Sequence, residues 1–404
     1  MSASIDYHSG EYQKAYKAFN RLAKLGNKDA IYNIAVMYLH GQGREQDLNQ
    51  AYAWFKLAAD FGLADASLAA KMIEAKSDDK QGLFEAYQVL QQDLSLLHFE
   101  QTLAPEFIDN NRHFELEATY PAAALKQGLE GWVWLEFDVD ESGAVTDIDI
   151  IESYPDKSFN RSTLNALRRK KFDGSYGTFT LFKHFTTFKG KRYQASFSRQ
   201  KQRYQAQVND LIERAEQGNA AVQYHIANFM MGFDHNATRL LRYHWSADKA
   251  GSELLLEAAS NGYANAQYRL GSYLLEGIHS QKDRLKGINW TSKAAAQGFK
   301  QAEYRLGLEL LAEQPDIGVR WLEKAANKQH FRAMRDLVHF YVENKRWQQA
   351  QTWLDKAMIL DDEHPALWLA KSRIYAEASE QQLALEARQK ALEFAKSRGW
   401  YLPD

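Results

Sequence analysis

The 404-residue sequence contains no cysteine, which excludes disulfides, thiolate metal sites and cysteine nucleophiles. That absence leaves the compartment open, because many periplasmic proteins also lack cysteine. Six prolines and 23 glycines leave no room for a long disordered linker. No apolar run approaches the roughly 18 residues needed to cross a bilayer, so no spanning helix is expected. The opening stretch, MSASIDYHSGEYQKAYKAF, has no apolar segment of signal-peptide type. Walker, Gly-x-Ser-x-Gly and His-Glu-x-x-His motifs are missing, and Gly41-x-Gly43 has neither the preceding strand nor the third glycine of a dinucleotide loop. What remains is the composition of a globular protein: 45% apolar, 25% charged, net charge −2, and 13% aromatic. Its length calls for several domains or a solenoid.

The sequence repeats itself. Gly26, Ala30, Tyr32, Gly41, Asp47, Trp54 and Gly62 recur as Gly262, Ala266, Tyr268, Gly277, Asp283, Trp290 and Gly298, every pair offset by 236 positions. Small residues (Ala30, Ala58, Ala59; Ala266, Ala294, Ala295) allow two helices to approach closely. Trp54 and Trp290, two helical turns before the closing glycine, fill the gap between neighbours. The glycines suit a left-handed residue ending a helix. One such helix pair cannot bury its apolar stripe alone, so the units must stack. The pattern resembles the Sel1-like repeat family. Weaker copies follow: Gly218 to Gly262 spans 44 residues, Ala302 to Ala333 only 31, and Trp321 precedes Gln329 where glycine is expected. Ala357 to Ala391 spans 34, the tetratricopeptide period, with Trp353 and Trp368 as packing residues.

After His98 the helical period fails. In GWVWLEFDVDESGAV, Val133, Leu135, Phe137 and Val139 face one way and Trp132, Trp134, Glu136 and Asp138 the other. Asp140–Gly143 supply a turn, and AVTDIDIIES reads as the returning strand of a hairpin. Phe159, Thr163, Leu164 and Leu167 space a helix ending in Arg168-Arg169-Lys170-Lys171, and GTFTLFKHFTTF reads as a third strand. Tyr120-Pro121, an alanine run, Glu130-Gly131, Phe137-x-Val139, Gly143, Phe159, Ala166-Leu167-Arg168 and Phe172 stand in one order and spacing. In these residues the stretch resembles the TonB C-terminal domain, over about a fifth of the chain. Lys170 and Lys171 stand where that family often has Trp beside the closing aromatic. The anchor and Pro-rich spacer of energy-transducing TonB are absent from this sequence.

The resemblance implies a mechanism, β-augmentation, in which a transporter's short peptide adds beside the last strand. Carried over from Phe159, that edge falls on Thr178, Phe179, Thr180, Leu181, Phe182, Lys183, His184 and Phe185, with Lys183 and His184 on opposite faces. The plainer alternative is an ordinary edge strand guarded by lysine. From Arg168 to Arg203, eleven basic residues face one acidic residue, Asp173. Four of them are explained as cations at a helix C-terminus. The rest fit an acidic protein or an anionic cell-envelope surface better than nucleic acid, since no nucleic-acid fold is visible. His225, His235 and His244 with Asp234 fit no single helix face, so neither metal nor cofactor is expected.

The expected fold is α+β and predominantly α: Sel1-like and tetratricopeptide solenoid segments flanking a small β-β-α-β domain. Boundaries are placed at 1–98 (Sel1-like), 99–114 (linker), 115–200 (TonB-like), 201–345 (Sel1-like) and 346–404 (tetratricopeptide-like). The sheet is expected to pack against the solenoid through an apolar interface, with Trp132 and Trp134 foremost. The expected function is a non-enzymatic adaptor of the bacterial cell envelope. Its edge strand takes a partner peptide, for instance from an outer-membrane TonB-dependent transporter, and its repeats dock a second protein. The alternatives are a structural scaffold whose edge is covered by the chain itself, by KRYQASF for example, and an energy transducer whose anchor lies outside this sequence. Periplasmic placement presupposes a removed targeting segment; without one the chain is cytoplasmic.

Overall fold

The computed structural model describes residues 6–24, 28–94, 116–172, 174, 176–186, 205–206, 208–231, 241, 250–277 and 280–402. KRYQASF, the 99–114 linker, Asp234, His235, His244 and the basic residues from Lys189 to Arg203 lie outside them. The chain divides into two compact units, 1–106 and 107–404.

In the first unit, α1 (Tyr12–Lys24), α2 (Lys28–His40), α3 (Leu48–Asp60), α4 (Ala64–Lys76) and α5 (Lys80–Leu94) follow one another. Alanines at 15, 23, 30, 35 and 58 pack with Phe19, Ile31, Ile34, Trp54 and Phe55 in one core. Asp47 caps α3, its carboxylate accepting the Gln50 N–H at 3.0 Å. The aspartate of the repeat is therefore a helix starter, as the tryptophan is a core filler.

The second unit opens with α6 (Ala122–Gln127), β1 (Gly131–Val139), β2 (Val145–Tyr154), α7 (Asn160–Arg169) and β3 (Gly177–Phe185). The strands form an antiparallel sheet in the order β2-β1-β3. Val133, Leu135, Phe137 and Val139 make a core with Phe159, Leu167, Phe172, Leu181 and Phe185 under α7. The Phe159 ring stacks on Phe185 at 4.4 Å, and Tyr120 meets both rings edge-on at 5.7 Å. Gly131 is needed for close approach, since a Cβ there would fall on the Tyr154 carbonyl oxygen. Gly143 adopts φ +78°, and a Cβ would stand 2.7 Å from the Phe172 carbonyl oxygen. The motif residues thus build the domain's own core and turns.

Among the described residues, a helical stretch at 208–216 is followed by five helix pairs: α8 (Ala220–Met231) with α9 (Ala250–Ser260), α10 (Ala264–Glu276) with α11 (Arg284–Ala296), α12 (Lys300–Leu311) with α13 (Pro315–Asn327), α14 (Phe331–Glu343) with α15 (Trp347–Leu360), and α16 (Pro365–Glu377) with α17 (Gln381–Arg398). Asp283 caps α11 as Asp47 caps α3, accepting the Lys286 N–H at 3.0 Å. The short spacing from Ala302 to Ala333 has a local cause: α12 is one residue shorter than α10, and its connection to α13 is four residues shorter than that from α10 to α11. Gln329 adopts φ +59°, the left-handed conformation that Gly62, Gly262 and Gly298 take at the same place. The repeat register therefore runs through the position where glycine is missing.

Candidate functional site

The sheet's second face is seated on the first helices of these pairs, and sheet and array fall within one compact unit. At one end the contact is aromatic. Trp132 stacks on Tyr154 at 4.4 Å and meets Phe229 of α8 edge-on at 5.0 Å, while Trp134 lies 5.5 Å from Tyr268 of α10. Both tryptophans, expected at this interface, are buried in it.

The rest of the interface is ionic, which corrects the expectation of an apolar contact. Glu136 is fully buried. It accepts from Arg332 at 2.9 Å, from the Tyr268 hydroxyl at 3.3 Å and from Arg305 at 3.4 Å. Asp138 accepts from Arg332 at 2.5 Å, from Arg335 at 2.8 Å and from the Thr178 hydroxyl at 2.7 Å. Asp147 pairs with Arg335 and with His364 Nε2, the latter at 2.9 Å. Asp149 lies 3.2 Å from His330 Nε2 and accepts from Gln301 at 3.2 Å. Glu152 accepts from the Tyr224 hydroxyl at 2.7 Å and from Asn265 at 3.3 Å, with His225 Nε2 at 3.7 Å.

Two local devices bring these groups together. On the sheet side, β2 bulges twice against β1, between Trp134 and Leu135 and between Glu136 and Asp138. Asp147, at the second bulge, adopts φ +40°, and its carboxylate meets the array beside those of Asp138 and Asp149. On the array side, residues at the second, fifth and sixth positions of successive first helices point at the sheet: Asn265, Tyr268 and Arg269; Gln301 and Arg305; Arg332 and Arg335. That is the i, i+3, i+4 face of a helix. His330 and His364 stand at the N-caps of α14 and α16.

Burial alone would raise the pKa of Asp138, but Arg332 and Arg335 hold it below the ordinary aspartate value. Asp147, held by Arg335 and His364, and Asp149, held by His330, are likewise lowered against their burial. Glu152 is lowered against burial by His225 and Tyr224. Glu276, at the end of α10, goes the other way: burial pushes it up to about 7, with Glu136 adding to the rise and Arg305 and Thr180 opposing it.

Of the predicted edge, β3 pairs with β1 throughout, from Gly131 opposite Phe185 to Val139 opposite Gly177. Phe179, Leu181 and Phe185 turn to the sheet's own core. Thr178, Thr180 and Phe182 turn to the array. Thr178 accepts from Arg332 at 3.1 Å, and Phe182 lies beneath the Arg269 guanidinium, 4.1 Å from its ring centre. His184 stands 4.8 Å from the Phe182 ring, on that same face, and the Lys183 ammonium 5.8 Å from the Phe185 ring, on the other. The Thr180 hydroxyl donates to Glu276 at 2.8 Å. Of the other motif residues, Pro121 stands at the start of α6 and Arg168 is exposed at the end of α7. His225 meets Glu152, and among the described residues no cluster suited to a metal ion occurs.

Residues 117–176 match the family model for the Gram-negative bacterial TonB protein C-terminal, and residues 28–62, 264–299 and 300–330 match the Sel1 repeat. Protein TonB of Yersinia enterocolitica is 39% identical over 69 residues, 16% of this chain and 27% of that protein. Protein TonB of Xanthomonas campestris pv. campestris is 38% identical over 56 residues, 14% of this chain and 25% of that protein. The chain thus spans about a quarter of the length of these curated relatives. A Sel1 repeat protein from Oxalobacter formigenes superposes with 25% identity over 30% of this chain and 90% of that one, at a TM-score of 0.27. A protective antigen of uropathogenic Escherichia coli displaying an SLR fold superposes with 18% identity over 94% of this chain and 72% of that one, at 0.35. No helix among the described residues is long and apolar enough to cross a membrane. Both matched families are protein-interaction modules: the chain carries a TonB C-terminal module at 117–176, set between Sel1 repeats at 28–62 and at 264–330.

Proposed function

We propose that this chain is a non-enzymatic protein-binding adaptor of the bacterial cell envelope, acting in the periplasm. Its TonB-like module takes a partner peptide by strand addition along Thr178–Phe185, and its repeats dock a second protein. The observation behind this reading is the place of β3. Among the described strands it has a neighbour on one side only, and the array holds its Thr178, Thr180 and Phe182 side chains in position. A pre-ordered edge lowers the entropy lost when an extended peptide joins it. The partner this reading favours is the periplasmic peptide of an outer-membrane transporter, the partner class that the TonB resemblance implies.

A second reading has its own observation. The Glu276 carboxylate accepts the Thr180 hydroxyl at 2.8 Å, which suits a scaffold whose edge is closed by the chain itself. Hydrogen exchange on the full chain, with and without a TonB-box-like peptide at millimolar concentration, separates the two. Slowed exchange across residues 178–185 only when peptide is present supports the adaptor. Slow exchange in the free chain that peptide does not change supports the scaffold and sinks strand addition there.

A further inference from the structure

The other edge of the sheet borders a groove of about 820 Å³, running along β2 from Ala144 to Asp149. Its two walls differ in chemistry. On the side of the sheet covered by α7, the wall is the cationic end of that helix, with Arg168, Arg169 and Lys171. On the array side, Phe331, Leu360 and Trp400 stand among Lys300, Asp361 and Arg398. Arg168, Arg169 and Lys171 are exposed and enter no ion pair among the described residues. Among the described strands, β2 has β1 as its neighbour, and beyond it only the isolated bridge from Ala144 to Lys171.

From this geometry we infer that the β2 groove binds an extended acidic peptide, added as a strand beside residues 145–149. This site is separate from the β3 edge and stands without it. A strand added to β2 projects successive side chains to opposite faces of the sheet. One set meets Arg168, Arg169 and Lys171, and the alternate set meets Phe331, Leu360 and Trp400. The preferred ligand therefore alternates Asp or Glu with Leu or Phe. Charge argues for this occupant over a second copy of the chain, because pairing two β2 edges brings two sets of these cations together. The apolar side chains of Phe331, Leu360 and Trp400 argue for a peptide over a bare anionic surface.

The test is fluorescence anisotropy on the full chain with a labelled ten-residue peptide alternating Glu and Leu. Saturable binding is expected, weakened about tenfold or more by the double variant Arg168→Glu/Arg169→Glu. Both side chains are exposed, so circular dichroism of the variant should be unchanged. A peptide of the same composition with its acids in one block should bind more weakly. So should one N-methylated at alternate residues, which keeps the charge and removes the strand hydrogen bonds. No binding by the full chain overturns the proposal, as does affinity that N-methylation and blocking leave unchanged. So does preferential binding to phosphatidylglycerol vesicles that the alternating peptide fails to displace, which assigns the cations to an anionic surface.

Discussion

Arg332 grips two carboxylates of the sheet at once, so replacing it with methionine uncouples the sheet from the array at its most buried point. The guanidinium donates to Glu136 at 2.9 Å and to Asp138 at 2.5 Å and 3.2 Å, and its side chain is 2% exposed. Methionine keeps the packing volume and removes the charge. Asp138 retains Arg335 at 2.8 Å, but fully buried Glu136 is left with the longer contacts to Arg305 and Tyr268. Breaking a buried pair by removing one partner costs about 3–5 kcal/mol, because the remaining charge is neither solvated nor neutralised. An exposed pair costs about 0–1 kcal/mol. The two estimates are far enough apart to decide. The measurement is the urea midpoint followed by tryptophan fluorescence, with Trp132 and Trp134 reporting from the interface. The double variant Arg332→Met/Glu136→Leu completes a cycle. With both charges replaced by apolar groups, most of the loss should be recovered. A single variant losing under about 1 kcal/mol, or a double variant losing the sum of the two singles, would refute the account of this contact as a buried and mutually dependent ion network.

Gly131→Ala should destabilise the sheet by roughly 1–3 kcal/mol or more, since its Cβ falls on the Tyr154 carbonyl oxygen; a thermal melt checks this. Asp138, Asp147, Asp149 and Glu152 have folded pKa values below their ordinary ones, so their contribution to stability is complete above the unfolded carboxylate range and lost as pH falls through the lowered values. Acid titration of the fluorescence signal should therefore show docking retained at pH 5 and lost well below pH ~4. Glu276 has the opposite sign: with a folded pKa of about 7, its contribution is complete below its ordinary value of 4.5 and lost as pH rises through 7. Comparing melting temperatures across that window, Glu276→Gln should flatten the profile.

The sequence made the repeats legible because each of their signals is local. Asp47 and Asp283 start helices, Trp54 and Trp290 fill helix–helix gaps, and Gly62, Gly262 and Gly298 end helices in the left-handed conformation. The hairpin and the helix after it were legible for the same reason: period-two alternation and a turn need only neighbours in sequence. The ionic face was not, because its pairs lie 72 to 217 residues apart. They also depend on two bulges, which turn Asp147 toward the array against simple alternation. Two signals were nevertheless present. TDIDIIES places three acids within six positions, and Arg305, Arg332 and Arg335 fall on the sheet-facing sites of helices α12 and α14. Arginines buried on the inner face of a solenoid need carboxylate partners, and the hairpin is where the chain supplies them.

Cations stand beside the β2 edge and the Glu276 carboxylate beside the β3 edge, so the peptide addition proposed at β3 should depend on Glu276. A peptide carbonyl that takes the Thr180 hydroxyl must displace a carboxylate already accepting it. Hydrogen bonds to charged groups contribute about 1.5–3 kcal/mol and neutral ones about 0.5–1.5 kcal/mol, so the exchange costs a strand-adding ligand on the order of 1 kcal/mol. That corresponds to roughly fivefold to tenfold in affinity. Protonation weakens Glu276 as an acceptor, and burial has raised its pKa to about 7, so peptide affinity at β3 should increase as pH falls from 8 to 6. Arg305 faces Glu276 Oε1 at 3.5 Å and Glu136 at 3.4 Å. Glu276→Gln, which retains a neutral acceptor for Thr180, should bind a TonB-box-like peptide several-fold more tightly at pH 8 and lose the pH dependence. Binding at the β2 groove should be indifferent to the same substitution. If Glu276→Gln leaves the affinity and its pH profile as they were, the carboxylate is no guard of that edge, and a peptide that binds does so elsewhere.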